Sequence, residues 1–414
     1  LYDKRNQVSF VSQGIISYLA GQKSVLNQSS YSSVEELKAA GLNMQMETVV
    51  EEIDTKNKRL FYRRVNSKKT KLALYDKLIF ATGSYPAMTS VPFDKKSKLY
   101  FLKSMDDAIK TDEFLKTAKN IAVIGGGMTG VEVARIAQER GIQTTLIHRN
   151  KNLLNDYLDE PASHLLESWM NAEGMRLLLN TEVTEIGSDE ENTIIQTANG
   201  QKIPVDGVIF TIGFRPNSYL LNQQVELGDS GAVIVDEYMQ TTCPDVFAVG
   251  DVSTTYVNLL EKSYYLPHAS DAVRDGEIAA INLLAPHQKI NSSQGTYHVP
   301  MNNLVMAMTG ITIRQAVDAG YDADAVHLLN EHLDGHSPSN IWMIYERRTH
   351  QILGLQCIGK TSDMAEYVNI FSLAIQQELK IEDIEFTDFY FEHGYKDPRG
   401  LNRILARLVR ENER

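Results

Sequence analysis

The stretch "NIAVIGGGMTGVEVARIAQERGIQTTLIHRN", residues 120–150, constrains the fold more tightly than any other part of the chain. An apolar run leads into Gly125, Gly127 and Gly130, spaced G-x-G-x-x-G; an amphipathic helical stretch follows, then a second apolar run. The glycine spacing alone is a weak signal. Placed between a strand and a helix, it marks a βαβ unit that binds a dinucleotide. The first glycine permits the tight turn, the second lets a pyrophosphate approach the backbone, and the third lets helix and strand pack closely. The phosphates then lie against free N–H groups at the positive end of the helix dipole.

The end of the second strand selects the nucleotide. An NAD site places Asp or Glu about 20 residues after the glycines, on the ribose 2′-hydroxyl. This chain has His148 and Arg149 there, neither of them an acid. A guanidinium pairs with a 2′-phosphate through charge-assisted bonds. The reading is therefore NADPH before NADH, the alternative being two solvated strand-end residues with loose selectivity.

Strands and helices alternate through most of the remaining chain, which argues an α/β fold. Residues 1–95 carry a helix with a capping box (Ser33, Glu36), a hairpin in "METVVEEIDTKNKRLFYRRV" and a buried strand ending in "ATGSYP". Residues 96–224 form one complete α/β unit. Residues 225–294 return to strand and to a helix starting near Ala269, and residues 295–414 hold strands such as "SNIWMIYE" and "QILGLQCIG" with further helices. At 414 residues and 43% hydrophobic content the chain can bury two or three cores. A net charge of −12 without a basic run makes nucleic acid an unexpected partner, and the terminal "RILARLVRENER" reads as an exposed helix face. No apolar run is long enough to span a membrane, no metal site is expected, and two cysteines, Cys243 and Cys357, fit a reducing, cytoplasmic setting. The chain starts at Leu1, and "LYDKRN" reads as the end of a strand, so a preceding segment is expected.

Four motifs along the whole length carry a resemblance. "ATGSYP" (Ala81, Thr82, Gly83 onward), "GGGMTGVE" (Gly125 to Glu132), "TIGFRPN" (around Gly213) and "TTCPDVFAVGD" (ending at Gly250 and Asp251) resemble the pyridine nucleotide-disulfide oxidoreductases, in the branch of NADH oxidase, NADH peroxidase and coenzyme A disulfide reductase. "TLIHR" is closest to the NADPH-using coenzyme A disulfide reductases. The resemblance implies two Rossmann-like three-layer nucleotide-binding domains, for FAD and NAD(P), plus a C-terminal α+β dimerisation domain. The FAD domain is split in sequence around the inserted NAD(P) domain. Asp251 would bond the ribityl chain, Ala269 would open the helix at the flavin edge, Asp3 would hold the adenosine ribose, and Glu132 matches the acid near the nicotinamide, with a surface capping role as the alternative. The family's N-terminal strand and Gly-rich turn are absent from these 414 residues, so a polypeptide starting at Leu1 is expected to bind FAD poorly.

A second departure lies in "VSFVSQGIISYLAG". Where the family keeps its redox cysteine before a helix, this chain has Gln13, preceded by Ser12. A thiolate there cycles through sulfenate or mixed disulfide, whereas an amide only donates and accepts hydrogen bonds. Ser12 without a base is a poor nucleophile. In the family the partner subunit's C-terminal segment closes the site. Here that segment is "DFYFEHGYKDP", with Tyr395 at the family's aromatic position and His393 as a candidate proton donor. The expectation is an FAD-dependent NAD(P)H oxidoreductase, a homodimer passing hydride to flavin and on to oxygen or another small acceptor. With no thiolate, hydrogen peroxide rather than water is the expected oxygen product. The alternatives are a non-catalytic flavin or NADPH sensor, and a disulfide reductase using another thiol.

Overall fold

The computed structural model describes residues 1–8, 14–22, 31–87, 91–301, 303–331, 338–360, 364–389, 397 and 399–413. Its centre is an all-parallel sheet of five strands in the order Leu99–Phe101, Gly207–Phe210, Asn120–Ile124, Gln143–Ile147, Arg176–Leu178. Parallel sheets are covered on both faces, and the strands read accordingly: Ile121, Ala122, Val123, Leu146, Val208 and Ile209 are fully buried. Helices Met128–Glu139 and Glu160–Ala172 supply much of the cover, the first through Val131, Val133, Ala134, Ile136 and Ala137. A three-stranded antiparallel sheet, residues 183–205, leads back to the strand Gly207–Phe210.

A second unit flanks this one in sequence. Leu78–Phe80 pairs in parallel with Val246–Ala248, joining residues far apart in the chain. The expected hairpin is present as Thr48–Asp54 against Arg59–Arg64, extended by Lys71–Leu74. Ser33 caps the helix Val34–Ala39 with the reciprocal Glu36 bond. The helix Ala269–Asn282 begins where expected. The chain leaves this unit through Ser84–Pro86 and returns through Phe214–Pro216, and these two crossings pair antiparallel.

The C-terminal unit is a five-stranded antiparallel sheet in the order Tyr297–Met301, Leu304–Gly310, Ile352–Gly359, Ser339–Glu346, Ala323–Asn330. Every residue of Ile352–Gly359 is buried, Cys357 among them. The terminal helix Leu401–Asn412 corrects the expectation of an exposed face. Its Ile404, Leu405, Ala406 and Val409 are buried, and Arg410 pairs with the buried Glu385 at 2.6 Å. The arginines occupy the other side of a helix whose apolar residues recur at i, i+1 and i+5, a stripe that the interleaved charges concealed in the sequence.

Asp159 joins the nucleotide unit to the C-terminal one. Its carboxylate accepts the Ile313 N–H at 3.1 Å and the Gln356 amide at 2.8 Å, and its own N–H donates to Gln356 Oε1 at 2.9 Å. No helix of the described residues is long and apolar enough to cross a membrane.

Candidate active site

The glycine turn has the geometry that the spacing requires. Gly125 sits at φ +121°, and a Cβ there would lie 2.4 Å from the Thr211 carbonyl oxygen. A Cβ on Gly130 would fall 1.8 Å from the Gly125 oxygen, so helix and strand meet at a contact only hydrogen fits. Gly127, the N-cap of the helix, has no side-chain cap and faces open space. The first N–H groups of that helix are thus left for an anion. Thr211, from the "TIGFRPN" segment, locks the turn by donating its hydroxyl to the Ile124 and Gly125 carbonyls at 3.1 and 3.0 Å.

His148 and Arg149 divide the work of the strand end. His148 Nδ1 accepts the Gly126 N–H at 3.0 Å, and its Nε2 lies 3.2 Å from Asn155 Oδ1. That pattern leaves Nε2 as the protonated nitrogen. Burial, the largest influence, lowers the His148 pKa, which suits a neutral ring that accepts at Nδ1. Both nitrogens are engaged, so His148 supports the turn from beneath and does not reach outward to a ribose. Arg149 is exposed and has no ion pair among the described residues. It lines a cleft of about 410 Å³ with Asn150, Asn180, Thr181, Glu182 and Asn199.

Glu132 stands one turn into the helix. No cap by its carboxylate is found among the described residues, and burial raises its carboxyl to about 7, against the opposing pull of Arg135. It is therefore divided between acid and carboxylate near neutrality.

At the second site, Ala81, Thr82 and Gly83 follow the strand Leu78–Phe80, and Gly83 takes φ +67°. Thr82 and Asn217 exchange hydrogen bonds: the Thr82 hydroxyl donates to the Asn217 carbonyl at 2.8 Å and the Asn217 amide donates to the Thr82 carbonyl at 3.0 Å. Ala87 N–H bonds the Gly213 carbonyl at 2.9 Å. The two motifs that the sequence showed 130 residues apart thus form one junction. Gly250 N–H donates to Asp275 Oδ2 at 3.0 Å, which shapes the turn that presents Asp251. Asp251 Oδ2 accepts from the Ser84 hydroxyl and the Lys103 ammonium, each at 2.7 Å, while Oδ1 has no partner among the described residues. Asp3 likewise spends Oδ1 on the Arg5 N–H and side chain. The helix at Ala269 opens without a side-chain cap, after His268, whose buried Nδ1 lies 3.8 Å from Asp271 Oδ2, beyond hydrogen-bond reach.

These residues fit FAD. A free carboxylate oxygen at Asp251 and another at Asp3 suit hydroxyl groups of a ribityl chain and a ribose, and the uncapped helix start suits an electron-rich ring edge. Ser12, Gln13, His393 and Tyr395 lie outside the described residues. Sequence reasoning missed Ser84, Lys103, Thr211 and Asp275. Asp275 had one legible signal, an acid on the helix face that Ile278, Ala279 and Asn282 bury.

Fold and site define a flavoprotein oxidoreductase with two dinucleotide-binding units. Residues 3–276 match the family described as pyridine nucleotide-disulphide oxidoreductase, and residues 299–391 match its dimerisation domain. The chain belongs to this family, and it is an FAD-dependent NAD(P)H oxidoreductase. An NADH oxidase of Enterococcus faecalis is 32% identical over 417 residues, spanning 100% of this chain and 93% of that protein. The water-forming NADH oxidase of Lactobacillus brevis bound to NADH has a TM-score of 0.95 at 30% identity, covering 99% of this chain and 92% of that one. An engineered water-forming NADPH oxidase derived from it, bound to NADPH, gives the same values.

Proposed function

We propose that this protein is an NADPH oxidase that reduces dioxygen to hydrogen peroxide, as a homodimer in the cytoplasm whose partner C-terminal domain completes each site. Bound FAD supplies the hydride acceptor and the electron donor to oxygen. The balance is NADPH + H⁺ + O₂ → NADP⁺ + H₂O₂. Gly127 and the helix start hold the pyrophosphate, Thr211 and His148 keep the turn rigid, and Arg149 faces the adenosine end with an unpaired charge. Asp251 and Asp3 hold the FAD hydroxyls.

The observation that carries the product assignment is the position of the two thiols. Cys357 is wholly buried in the C-terminal sheet, where burial pushes its thiol far above the range in which a thiolate forms. Cys243 lies before the strand Val246–Ala248, and Asp251 lies after it, so the two sit at opposite ends of that strand. Neither is placed to carry reducing equivalents from flavin to a peroxide. The related oxidases described as water-forming deliver four electrons to oxygen, and peroxide formation here would separate this chain from them.

The test is anaerobic reduction of the flavoprotein by NADPH and NADH in turn, followed by admission of oxygen. Rapid bleaching with NADPH and one peroxide per NADPH consumed are expected. Two NADPH consumed per oxygen without free peroxide would replace this reading with a water-forming reaction.

A further inference from the structure

We propose that Lys103, a residue of the nucleotide-binding unit, is a positioning residue for FAD: it holds the Asp251 carboxylate in the orientation that offers Oδ1 to the ribityl chain. The inference rests on the FAD reading of Asp251.

Lys103 follows the strand Leu99–Phe101, at the edge of the parallel sheet. Its ammonium crosses to the FAD unit and meets Asp251 Oδ2 at 2.7 Å, with the two side chains only 22% and 17% exposed. The same ammonium stands 4.5 Å from the centre of the Phe214 ring, a contact whose attraction grows with desolvation. Three separate chain segments therefore meet at the Lys103–Asp251 pair: the outgoing crossing through Ser84 on the carboxylate, the return crossing through Phe214 on the ammonium, and the entry to the nucleotide unit through Lys103 itself. Because Ser84 and Lys103 both address Oδ2, the carboxylate plane is held by two donors and Oδ1 is left as the acceptor. A hydroxyl donated to a carboxylate oxygen makes a charge-assisted bond, shorter and stronger than one between neutral groups. Removal of the cation leaves Asp251, only 17% exposed, with the Ser84 hydroxyl as its one side-chain donor among the described residues. That is the situation in which truncating one member of an ion pair costs most. The consequence is that retention of FAD depends on a side chain outside its own domain, so displacement of the nucleotide unit loosens the flavin.

The experiment measures the FAD dissociation constant by dilution of the holoprotein, read from recovered free-flavin fluorescence, for wild type, K103M, K103R, D251N and the double variant K103M/D251N. K103M is expected to weaken FAD binding roughly tenfold to a hundredfold. K103R, which keeps the charge, is expected to stay near wild type. In the D251N background K103M is expected to add little, since the cycle isolates the pair. Wild-type affinity in K103M would overturn the proposal. So would a loss that K103R shares, or one that survives undiminished in D251N, because either would assign Lys103 a general structural role. Wild-type affinity in D251N would overturn the reading of Asp251 itself, whereas a weakened D251N with an unaffected K103M overturns only the role of Lys103.

Discussion

The imidazole of His148 accepts the backbone N–H of Gly126 at 3.0 Å, beneath the glycine turn. A residue expected at the nucleotide's ribose thus holds a peptide of the glycine turn, and the proposed function gives it an indirect part in nucleotide binding. A Cβ on Gly126 would lie 2.6 Å from the ring, so turn and imidazole are packed to contact.

Replacement of His148 by Ala removes that acceptor and opens a space below the turn. The expected result is a KM for NADPH raised roughly tenfold, in keeping with about 1–3 kcal/mol for a lost buried partner, with kcat little changed. The pH dependence follows from the depressed pKa. The neutral ring's contribution is complete above the ordinary histidine value and is lost as pH falls through the lowered folded value. Steady-state kinetics between pH 5 and 8 should show KM rising only on the acid side in wild type (roughly flat in H148A); a flat wild-type profile would count against this role.

Arg149 is exposed in the cleft, and the NADPH proposal assigns it the 2′-phosphate. R149A should lower kcat/KM for NADPH by roughly tenfold to a hundredfold, the range of a charge-assisted bond, and leave NADH nearly untouched. Equal losses with both nucleotides would show that the guanidinium does not read the 2′-phosphate.

Glu132 makes stability depend on pH. Its folded value of about 7 lies above the ordinary 4.5. The native state therefore binds more protons than the unfolded one between those values, and this group's contribution falls as pH rises through that window and levels off above it. The full difference is about 3 kcal/mol. E132Q should lose this slope, visible as a smaller fall in Tm between pH 5 and pH 8 than in wild type. Parallel Tm profiles would show that Glu132 is solvated.

Asp275 supports the turn before Asp251 through a single bond to Gly250. D275A leaves that N–H without its partner and should cost roughly 1–3 kcal/mol in stability, with faster FAD release. D275N keeps an acceptor and removes the charge that burial holds up at about 6. Its denaturant midpoint at pH 8 should therefore equal or exceed that of wild type, and a D275N as unstable as D275A would refute this account.

The local devices were legible because they are written in contiguous residues. The strand, turn and helix from Asn120 to Glu139, the capping box at Ser33, the hairpin from Thr48 to Arg64 and the start of the helix at Ala269 each depend on neighbours in the chain, through glycine geometry, side-chain caps and apolar periodicity. By itself the sequence thus determined the nucleotide-binding unit, the two-part flavin unit and the replacement of a thiol by an amide at Gln13. The tertiary structure alone decided what the polar side chains do. His148 and Arg149 are adjacent in sequence, yet one turns under the glycines and the other outward, because burial and a free N–H capture the imidazole. Asp251 and Lys103 are 148 residues apart and belong to two different domains, and only the meeting of the two crossing strands brings the cation to the carboxylate. Chain neighbours reveal geometry, whereas partners for buried charge are found across the fold, where Coulomb attraction and desolvation act on distances that no sequence spacing encodes.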